Sequence, residues 1–419
     1  MTCCDRRHFM RLGFGSALAT AIGLPLARSS LLRAAPAARA AVPKAKACIL
    51  LFMHGGPSQI DTFDPKPGHA NAAGVKAIGT KVAGMQFSEF LPLLGKQAHR
   101  LAVVRSIVNK EGNHIRARHL MHTGYMPQAG VRHPAFGSIA AAEIGRSDLP
   151  GYVSINGPGA DAGFLGGAYA PFEVMNPENP VKNLVRSPAV DQARFDDRLA
   201  LWRGLEDRFG QKHAQQSVKS QRAVGEQAVR LMNAAGRVAF ETGREPETVR
   251  KRYGDGKFAL GCLMARRLIQ AGVVFVEVNL PGWDTHQNNL ERVKLLTAEL
   301  DRGMSALLDD LAASGLLDST LVVWTGDFGR TPTINDKGGR DHYPQVTPAV
   351  LAGGGVRGGQ VIGATDAAGA SVVDGKVAVA DLYATVAQAL AIDPDEQRMS
   401  PVGRPISTVD SGTVIRGLL

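Results

Sequence analysis

Cysteine is scarce in this chain. Only four of its 419 residues are cysteines, namely Cys3, Cys4, Cys48 and Cys262. No pair of them has the CxxC or Cys/His spacing of a structural zinc module or a redox motif. Cys48 and Cys262 stand in apolar surroundings, which favours buried free thiols over a disulfide. The sequence therefore excludes a disulfide-rich scaffold and a cysteine-type zinc domain.

A long run of lysine and arginine is also absent. The chain has 48 basic and 38 acidic residues, but residues 1–40 hold six arginines and one aspartate, which leaves 42 basic and 37 acidic residues. This balance is not the electrostatic footprint of a nucleic-acid-binding protein, so no nucleic-acid partner is expected. The hydrophobic fraction of 44% is ordinary for a globular protein.

An uninterrupted hydrophobic run that could span a membrane is missing as well. The apolar stretch 12–26 follows Arg6 and Arg7, contains proline, and is too short to span a bilayer comfortably. Together with the small-residue segment Ala38–Ala40, it indicates a twin-arginine signal peptide over residues 1–40. We therefore predict a mature chain without a stable membrane span. The twin-arginine export machinery would deliver it to the periplasm or the exterior.

Short apolar runs alternate with helical patterns along the mature chain. The runs predicted as buried strands are Cys48–Met53, Leu101–Val104, Gly151–Ile155, Val273–Val278, Leu321–Trp324 and Ala349–Leu351. This alternation predicts one α/β domain over residues 41–419, with a doubly wound, mostly parallel sheet and right-handed crossovers. Between about residues 189 and 270, apolar residues recur at helical spacing among charged ones, which predicts a helical insertion.

Polar side chains follow several of the predicted strands. His54 ends the first, Asp284 and His286 follow Val278, Asp327 follows Trp324, and His342 comes later in the same loop region. Because the carboxyl ends of parallel strands share one edge, we expect these residues to lie close together. Histidine and carboxylate donors suit zinc, manganese or iron better than calcium. The pattern predicts a site for one or two divalent ions; a polar loop whose aspartates cap turns is the alternative.

A second group of polar residues lies on a predicted helix. His114, Arg118 and His122 are spaced by four, so they share one helix face, which suits anion or metal binding. A solvated helix face is the alternative. The glycine-rich stretch Gly157–Gly167 is predicted as a lid or pocket wall. Ser58 or Thr62, in the loop after the first strand, could supply a hydroxyl nucleophile.

Four motifs carry a family resemblance. In chain order they are HGGPSQIDTFDPKP, GWDTH, TGDFGRTP and GGRDHYP. With them the chain resembles the DUF1501 family of exported proteins, in the alkaline phosphatase/sulfatase superfamily. The resemblance implies an alkaline phosphatase-like sheet with a two-metal centre at its carboxyl edge. The ligands it implies are His54, Asp284, His286, Asp327 and His342.

The chain departs from the superfamily pattern at important positions. His54 stands where an aspartate is usual, and Phe328 replaces the histidine that usually follows Asp327. His114 falls where sulfatases carry their nucleophile, and Arg118 falls where they carry an arginine. Histidine cannot become formylglycine, so the usual sulfatase route is not expected. The role of His114 as nucleophile, general base or metal ligand stays open.

The resemblance and the candidate residues together predict a metal-dependent hydrolase of a phosphate or sulfate ester. Its substrate would be an anionic small molecule or glycan ester, whose charged group Arg118 would hold. One alternative is a catalytically degenerate periplasmic binding protein that keeps the fold. Another is an envelope scaffold protein that uses the helical insertion as its interface.

Overall fold

A nine-stranded sheet organises the part of the chain that the structure describes. The structure is a computed structural model, and it describes residues 45–145, 147–179, 181–213 and 216–419. The strands of the sheet are β1 (Ala47–His54), β2 (Leu101–Val108), β3 (Tyr152–Ile155), β4 (Phe172–Val174), β5 (Phe275–Pro281), β6 (Thr320–Gly326), β7 (Thr347–Ala352), β8 (Gln360–Ile362) and β9 (Val377–Ala378). The predicted signal peptide lies outside the described residues.

The sheet is mixed but mostly parallel. Its strand order is β8-β2-β7-β6-β1-β5-β3-β4, with β9 also paired to β2. β1 is parallel to β5 and β6, while β7 is antiparallel to both of its neighbours. The predicted α/β class and mostly parallel sheet are confirmed.

β1 lies in the middle of this order because both of its faces are apolar. Ile49 and Leu51 face one hydrophobic cluster, and Leu50 and Phe52 face another on the opposite side of the sheet. Alternating side chains of a strand point to opposite faces, so an apolar residue at every position needs cover on both.

Helices provide that cover. They are α1 (Pro92–Gln97), α2 (His114–Thr123), α3 (Phe136–Ile144), α4 (Gln192–Lys212), α5 (Gln216–Asn233), α6 (Glu247–Tyr253), α7 (Lys257–Gln270), α8 (Asn289–Ala313) and α9 (Val379–Ala389). α1, α7 and α8 contribute Leu94, Leu263 and Leu307 to one cluster, whereas α3 and α9 contribute Phe136 and Tyr383 to the other. The sheet is therefore covered on both faces.

The segment predicted as a helical insertion is helical, but its parts differ in burial. α4 contributes no buried residue, whereas α7 is largely buried against β5 and α8. α7 thus belongs to the helix layer of the sheet, and α4 lies at the surface. Among the described residues, no helix has both the length and the apolar character needed to cross a membrane.

Short ribbons complete the fold around the sheet. They are Ala77–Gly79 with Gln86–Ser88, Gly329–Arg330 with His342–Tyr343, Ala364–Thr365 with Val372–Asp374, and Gln397–Met399 with Pro405–Ser407. The second ribbon pairs His342 with Arg330, just beyond the end of β6. This ribbon lies between β6 and β7 and carries His342, which is 15 residues after Asp327 in the sequence.

Candidate metal centre

The carboxyl edge of the sheet collects polar residues from several chain segments. β1 ends at His54, Asp284 comes shortly after β5, and Asp327 directly follows β6. These three strands are parallel neighbours, so the residues that follow them share one edge. Because β7 runs in the opposite direction, it starts at this edge, and the ribbon residue His342 just before it lies there too.

Two glycines let the end of β1 approach its neighbours. Gly55 and Gly56 have φ angles of +109° and +87°, which L side chains rarely adopt. A Cβ on Gly55 would overlap the backbone nitrogen of Asp284, and one on Gly56 would overlap the carbonyl oxygen of Phe328. The glycine pair is therefore required by the close packing of the loops that form the site.

Helix α2 places His114 at the same edge. The Asn113 side chain caps the helix by accepting a hydrogen bond from the Ile115 N–H at 3.1 Å, and Gly124 ends it with φ +75°. His114 is thus the first helical residue, and Arg118 follows it one turn later. The predicted helix is confirmed, and its first turn faces the strand ends.

His114 and His342 each use one ring nitrogen to bind a fixed acceptor. His114 Nδ1 is 2.6 Å from Asp327 Oδ2, and His342 Nδ1 is 2.8 Å from the carbonyl oxygen of Gly112. A carbonyl oxygen and an ionised carboxylate only accept hydrogen bonds, so we assign Nδ1 as the N–H donor in both rings. In the neutral ring, Nε2 then carries the lone pair.

His286 is oriented in the same way. Its Nδ1 is 2.6 Å from Asp341 Oδ1, and this hydrogen bond is the main cause that lowers the pKa of Asp341. The carboxylate is therefore the acceptor, and the lone pair of neutral His286 also lies on Nε2. This atom is 2.9 Å from Nε2 of His342.

The three Nε2 atoms converge on a single carboxylate oxygen. Oδ1 of Asp284 lies 3.4 Å from His114 Nε2, 3.1 Å from His286 Nε2 and 3.3 Å from His342 Nε2. Two ligands held at about 2.1 Å by one tetrahedral ion lie about 3.4 Å apart. Lone pairs pointed at one another and at a carboxylate repel unless a cation lies among them. In the described part of the chain, the ligand atoms of His114, Asp284 and His342 all lie within 4.8 Å of one another, so these three fit a divalent metal ion, whereas His286 lies beside the group.

Two buried atoms of the centre support this fit. Within the described residues, neither His114 Nε2 nor Asp327 Oδ1 has a hydrogen-bond partner. Buried polar atoms are normally paired, because an unpaired one loses its hydration without compensation. A metal ion or an anionic substrate group would provide the missing contacts.

The positive charges of the site keep Asp284 ionised. Burial acts to raise the pKa of Asp284, but the hydrogen bond from Arg330 and the neighbouring positive charges outweigh it and lower the pKa to about 2. The hydrogen bond to Asp327 raises the pKa of His114, and burial lowers the pKa of His342. A carboxylate partner that raises the basicity of a histidine also makes it a stronger metal ligand.

Arg330 is a functional candidate that the sequence reasoning missed. Its side chain is fully buried, and Nη2 donates to Asp284 Oδ1 at 2.6 Å while Nε donates to the Gly56 carbonyl at 3.1 Å. The Phe328 ring lies 4.9 Å from that of His114 and 4.7 Å from that of His342. Phe328 thus packs beside two imidazoles of the centre. The motif TGDFGRTP contains Arg330, but only the fold shows where it points.

A buried ion pair holds the loop that carries Asp341 and His342. Arg340 Nε and Nη2 donate to the two oxygens of Asp61 at 2.9 and 3.0 Å, and both side chains are fully buried. Asn289 donates to the same carboxylate at 2.8 Å. Asp341, which binds Nδ1 of His286, is a second residue whose role at the centre was not assigned from the sequence.

The remaining predicted site residues lie elsewhere. Nε2 of His54 lies 2.5 Å from Asn279 Oδ1, and His54 is outside the group formed by His114, Asp284 and His342. Ser58 is buried, and its hydroxyl accepts a hydrogen bond from the Asp61 N–H. The structure thus does not bring Ser58 to the three histidines.

Arg118 lies in a neighbouring cavity of about 310 Å³. We call this cavity the histidine pocket; its side chains include His54, Arg118, His119, His122 and His133, and the 158–161 loop forms one wall. Part of the glycine-rich stretch predicted as a pocket wall does line a pocket.

The contact that holds His122 from behind, with Glu277, was not predicted. His122 Nε2 lies 3.1 Å from Glu277, which also accepts a hydrogen bond from the Tyr152 hydroxyl. Burial acts to lower the pKa of His122, but the charge and hydrogen bond of Glu277 outweigh it and raise the pKa. Glu277 lies within β5, where the sequence shows only one acidic residue in an apolar run.

Comparison with solved structures gives distant similarities. A lipoteichoic acid synthase from Listeria monocytogenes is 12% identical, with a TM-score of 0.38 over 90% of this chain and 77% of its own. A sulfatase from Pseudoalteromonas sp. is 13% identical, with a TM-score of 0.39 over 83% and 68%. A protein in the alkaline phosphatase superfamily from Vibrio parahaemolyticus is 10% identical, with a TM-score of 0.33 over 84% and 67%.

Comparison by sequence identifies the family. No curated protein matches the chain. The model of the family described as "Protein of unknown function (DUF1501)" matches residues 45–419, which include all four motifs and every residue of the centre. The chain therefore belongs to the DUF1501 family.

Proposed function

We propose that this protein is an exported, metal-dependent hydrolase of a phosphate or sulfate ester. The observation that carries the proposal is the convergence of three Nε2 atoms, from His114, His286 and His342, on Asp284 Oδ1. The ring nitrogens behind them are all bound to acceptors, as in metal-binding histidines generally.

His114, Asp284 and His342 would hold one ion of zinc, manganese or iron, and His286, beside them, is a further candidate ligand. Asp327 would position His114, and its unpartnered Oδ1 is free to join the ligands. His54 remains a candidate for a second ion. Asn279 donates through its amide nitrogen to Ser154 and Ile155, so its oxygen accepts from His54 Nε2 and leaves Nδ1 of neutral His54 with a lone pair.

The chain would bind and orient the ester. A bound divalent ion supplies Lewis acidity towards the ester oxygens and makes a nearby water a better nucleophile. Arg118 would hold the anionic group, because its guanidinium has no carboxylate partner among the described residues. Its only hydrogen bond within the described chain is a 3.4 Å contact to the His114 carbonyl.

Water is the nucleophile in this proposal. Within the part of the chain that the structure describes, no serine, threonine or cysteine side chain hydrogen-bonds to the three histidines or to Asp284. A direct attack by water forms no covalent enzyme intermediate. The enzyme would then not transfer the phosphoryl or sulfuryl group to added alcohols.

The test is hydrolysis of phosphate and sulfate esters by the chain from residue 41. We expect activity that a chelator abolishes and that zinc, manganese or iron restores. Asp284→Ala should lower kcat/KM about a thousandfold, because the loss of Lewis acidity costs several kcal/mol. His99→Asn, at an exposed histidine away from the centre, should retain full activity. A metal-loaded protein that hydrolyses no ester would overturn the proposal.

Among the described residues, no activated hydroxyl lies at the centre, and this also favours a second candidate function. A binding protein that has lost turnover would keep the metal centre and the pocket but return its ligand unchanged. Tight binding of a phosphorylated or sulfated glycan, with intact ligand recovered after long incubation, would support it. Measurable hydrolysis would exclude it.

Exposed apolar residues on α4 favour the scaffold alternative. Leu201, Leu205 and Phe209 recur every four residues on this helix and are each more than half exposed. Replacing all three by glutamine should abolish any association with envelope proteins. Association that persists would remove this alternative.

Export is supported by the N-terminal motif alone. Replacing Arg6 and Arg7 by lysine should retain the precursor in the cytoplasm, as followed by cell fractionation. Unchanged export of that variant would contradict the twin-arginine route.

A further inference from the structure

The histidine pocket contains polar atoms that the protein itself does not satisfy. His133 is only 2% exposed, yet neither of its ring nitrogens has a hydrogen-bond partner among the described residues. Its ring stacks on Tyr125 at 4.1 Å, so it is fixed in place. Nε2 of His119, whose ring lies 6.1 Å away, is also buried without a partner. Both side chains line the cavity.

These imidazoles are neutral near pH 7. Burial, with the nearby His119, lowers the pKa of His133 to about 4. Burial and the nearby His122 lower the pKa of His119. A neutral imidazole offers one N–H donor and one lone pair. The pocket therefore presents unused donors and unused acceptors side by side.

This pairing of donors and acceptors restricts the ligand. An anion only accepts hydrogen bonds, so it would leave the imidazole lone pairs unsatisfied. A metal ion needs several donor atoms close together, and the one such group among the described residues is His114, Asp284 and His342. A hydroxyl group both donates and accepts, so a ring that bears several hydroxyls satisfies the pocket. Its volume of about 310 Å³ lies at the lower end of the range for small-molecule sites.

The pocket is joined to the metal centre on two sides. Arg118 lines the pocket one helical turn after His114. His54 lines it as well, and its carbonyl oxygen accepts a hydrogen bond from the Trp283 N–H, one residue before Asp284. A molecule whose anionic group lies at Arg118 would therefore extend its neighbouring part into the pocket.

We infer that His119 and His133 bind the hydroxyl groups of a sugar ring, and that the ester hydrolysed at the centre is a sugar phosphate or sugar sulfate. This inference rests on the proposed function and adds the chemical class of the substrate. His133 is a specificity residue that contacts the sugar rather than the reacting ester.

The test compares wild type with His133→Phe, which keeps an aromatic ring beside Tyr125 and removes both nitrogens. Calorimetry on the metal-loaded proteins measures binding of glucose and galactose 6-phosphates and 6-sulfates beside inorganic phosphate and sulfate. We expect wild type to bind at least one sugar ester about tenfold more tightly than the matching anion, and His133→Phe to lose that difference. Binding of the inorganic anions should not change. In sugar-ester hydrolysis the loss should appear in KM rather than kcat.

Melting temperatures identify a folding defect. If His133→Phe is unstable, His119→Leu replaces it in the same comparison; the matched control is His99→Phe, outside the pocket. The inference is overturned if wild type binds no sugar ester more tightly than the inorganic anion, because the pocket then holds only water. It is also overturned if both pocket variants keep the sugar preference. Binding is read without turnover, so a lack of hydrolysis refutes the proposed function separately.

Discussion

At the scale of single residues, the centre depends on the groups behind its histidines. Nδ1 of His114, His286 and His342 is held by a carboxylate, a second carboxylate and a backbone carbonyl respectively. Each contact fixes a tautomer and turns Nε2 towards Asp284. Substituting these supporting groups should therefore weaken metal binding while the three histidines and Asp284 stay in place.

Asp327→Asn tests this support. The amide removes the negative charge beside His114 but keeps the shape of the side chain. We expect metal affinity to fall about 10- to 100-fold, as for other partners of metal-binding histidines. Competition with a chromogenic chelator measures it. Asp336→Asn, at an exposed aspartate of the same loop region, should bind metal as wild type does. Equal affinity in both variants would contradict the role assigned to Asp327.

Glycine substitutions separate backbone strain from crowding. Gly55 and Gly74 both have positive φ, but only at Gly55 would a Cβ meet other atoms, namely the backbone of Trp283 and Asp284. We expect Gly74→Ala to cost about 1–2 kcal/mol of the free energy of unfolding, from the conformation alone. Gly55→Ala should cost more and should also weaken metal binding, because Asp284 is displaced. Denaturant unfolding measures both variants; equal losses would argue against the close approach.

At the scale of elements, α2 links the candidate metal centre to the histidine pocket. Its cap at Asn113 fixes where the helix begins and therefore where His114 lies. Asn113→Ala should lower the free energy of unfolding by about 1 kcal/mol and weaken metal binding. Asn113→Asp keeps a capping oxygen and should retain both. Unfolding and metal-titration curves that are unchanged in Asn113→Ala would contradict this account.

The contact between α8 and α1 predicts a pH effect on stability. Asp301 on α8 accepts hydrogen bonds from the N–H groups of Leu93 and Leu94 at the start of α1. Burial nevertheless raises its pKa from 3.8 to about 6. The folded state therefore binds the proton more tightly than the unfolded state. The stabilisation from this group is complete below about pH 4 and is lost as the pH rises through about 6.

Asp301→Asn removes that titration. The melting temperature of wild type, relative to the variant, should be higher at about pH 4.5 than at about pH 7.5. Differential scanning fluorimetry measures the difference at each pH. A difference that is constant or that grows with pH would show that the carboxyl group does not titrate in this way.

The elements differ in how far the sequence predicts them. Cys48–Met53 is apolar at every position and only six residues long, which is typical of a strand covered on both faces, so β1 was predictable. The run Ala349–Leu351 is equally apolar, but its pattern is the same for either strand direction. The antiparallel direction of β7 was therefore not predictable, and it is what brings His342 to the carboxyl edge.

The candidate site was likewise predictable only in part. Asp284, Asp327 and His286 were predicted because each follows a strand, and the carboxyl ends of parallel strands meet at one edge of the sheet. Whether a side chain turns towards that edge depends on contacts distant in sequence. Ser58 follows β1 in a similar position, yet its hydroxyl is buried against the Asp61 backbone. The contact between Arg330 and Asp284 likewise depends on how two loops pack.

At the scale of the whole molecule, the candidate site and the exposed apolar surface lie on different elements. One sheet edge carries the candidate centre and the histidine pocket, while α4 carries exposed apolar residues and contributes nothing buried to the core. The family match covers both parts. Metal binding is the claim on which the proposed hydrolysis depends.

Metal content tests that claim most directly. Elemental analysis of the purified protein, expressed with residues 1–40 in place, should find zinc, manganese or iron at near-stoichiometric amounts. Asp284→Ala and His342→Ala should lose the metal, whereas His99→Asn should retain it. Folded wild-type protein without metal, or variants of the centre that keep their metal, would contradict the account.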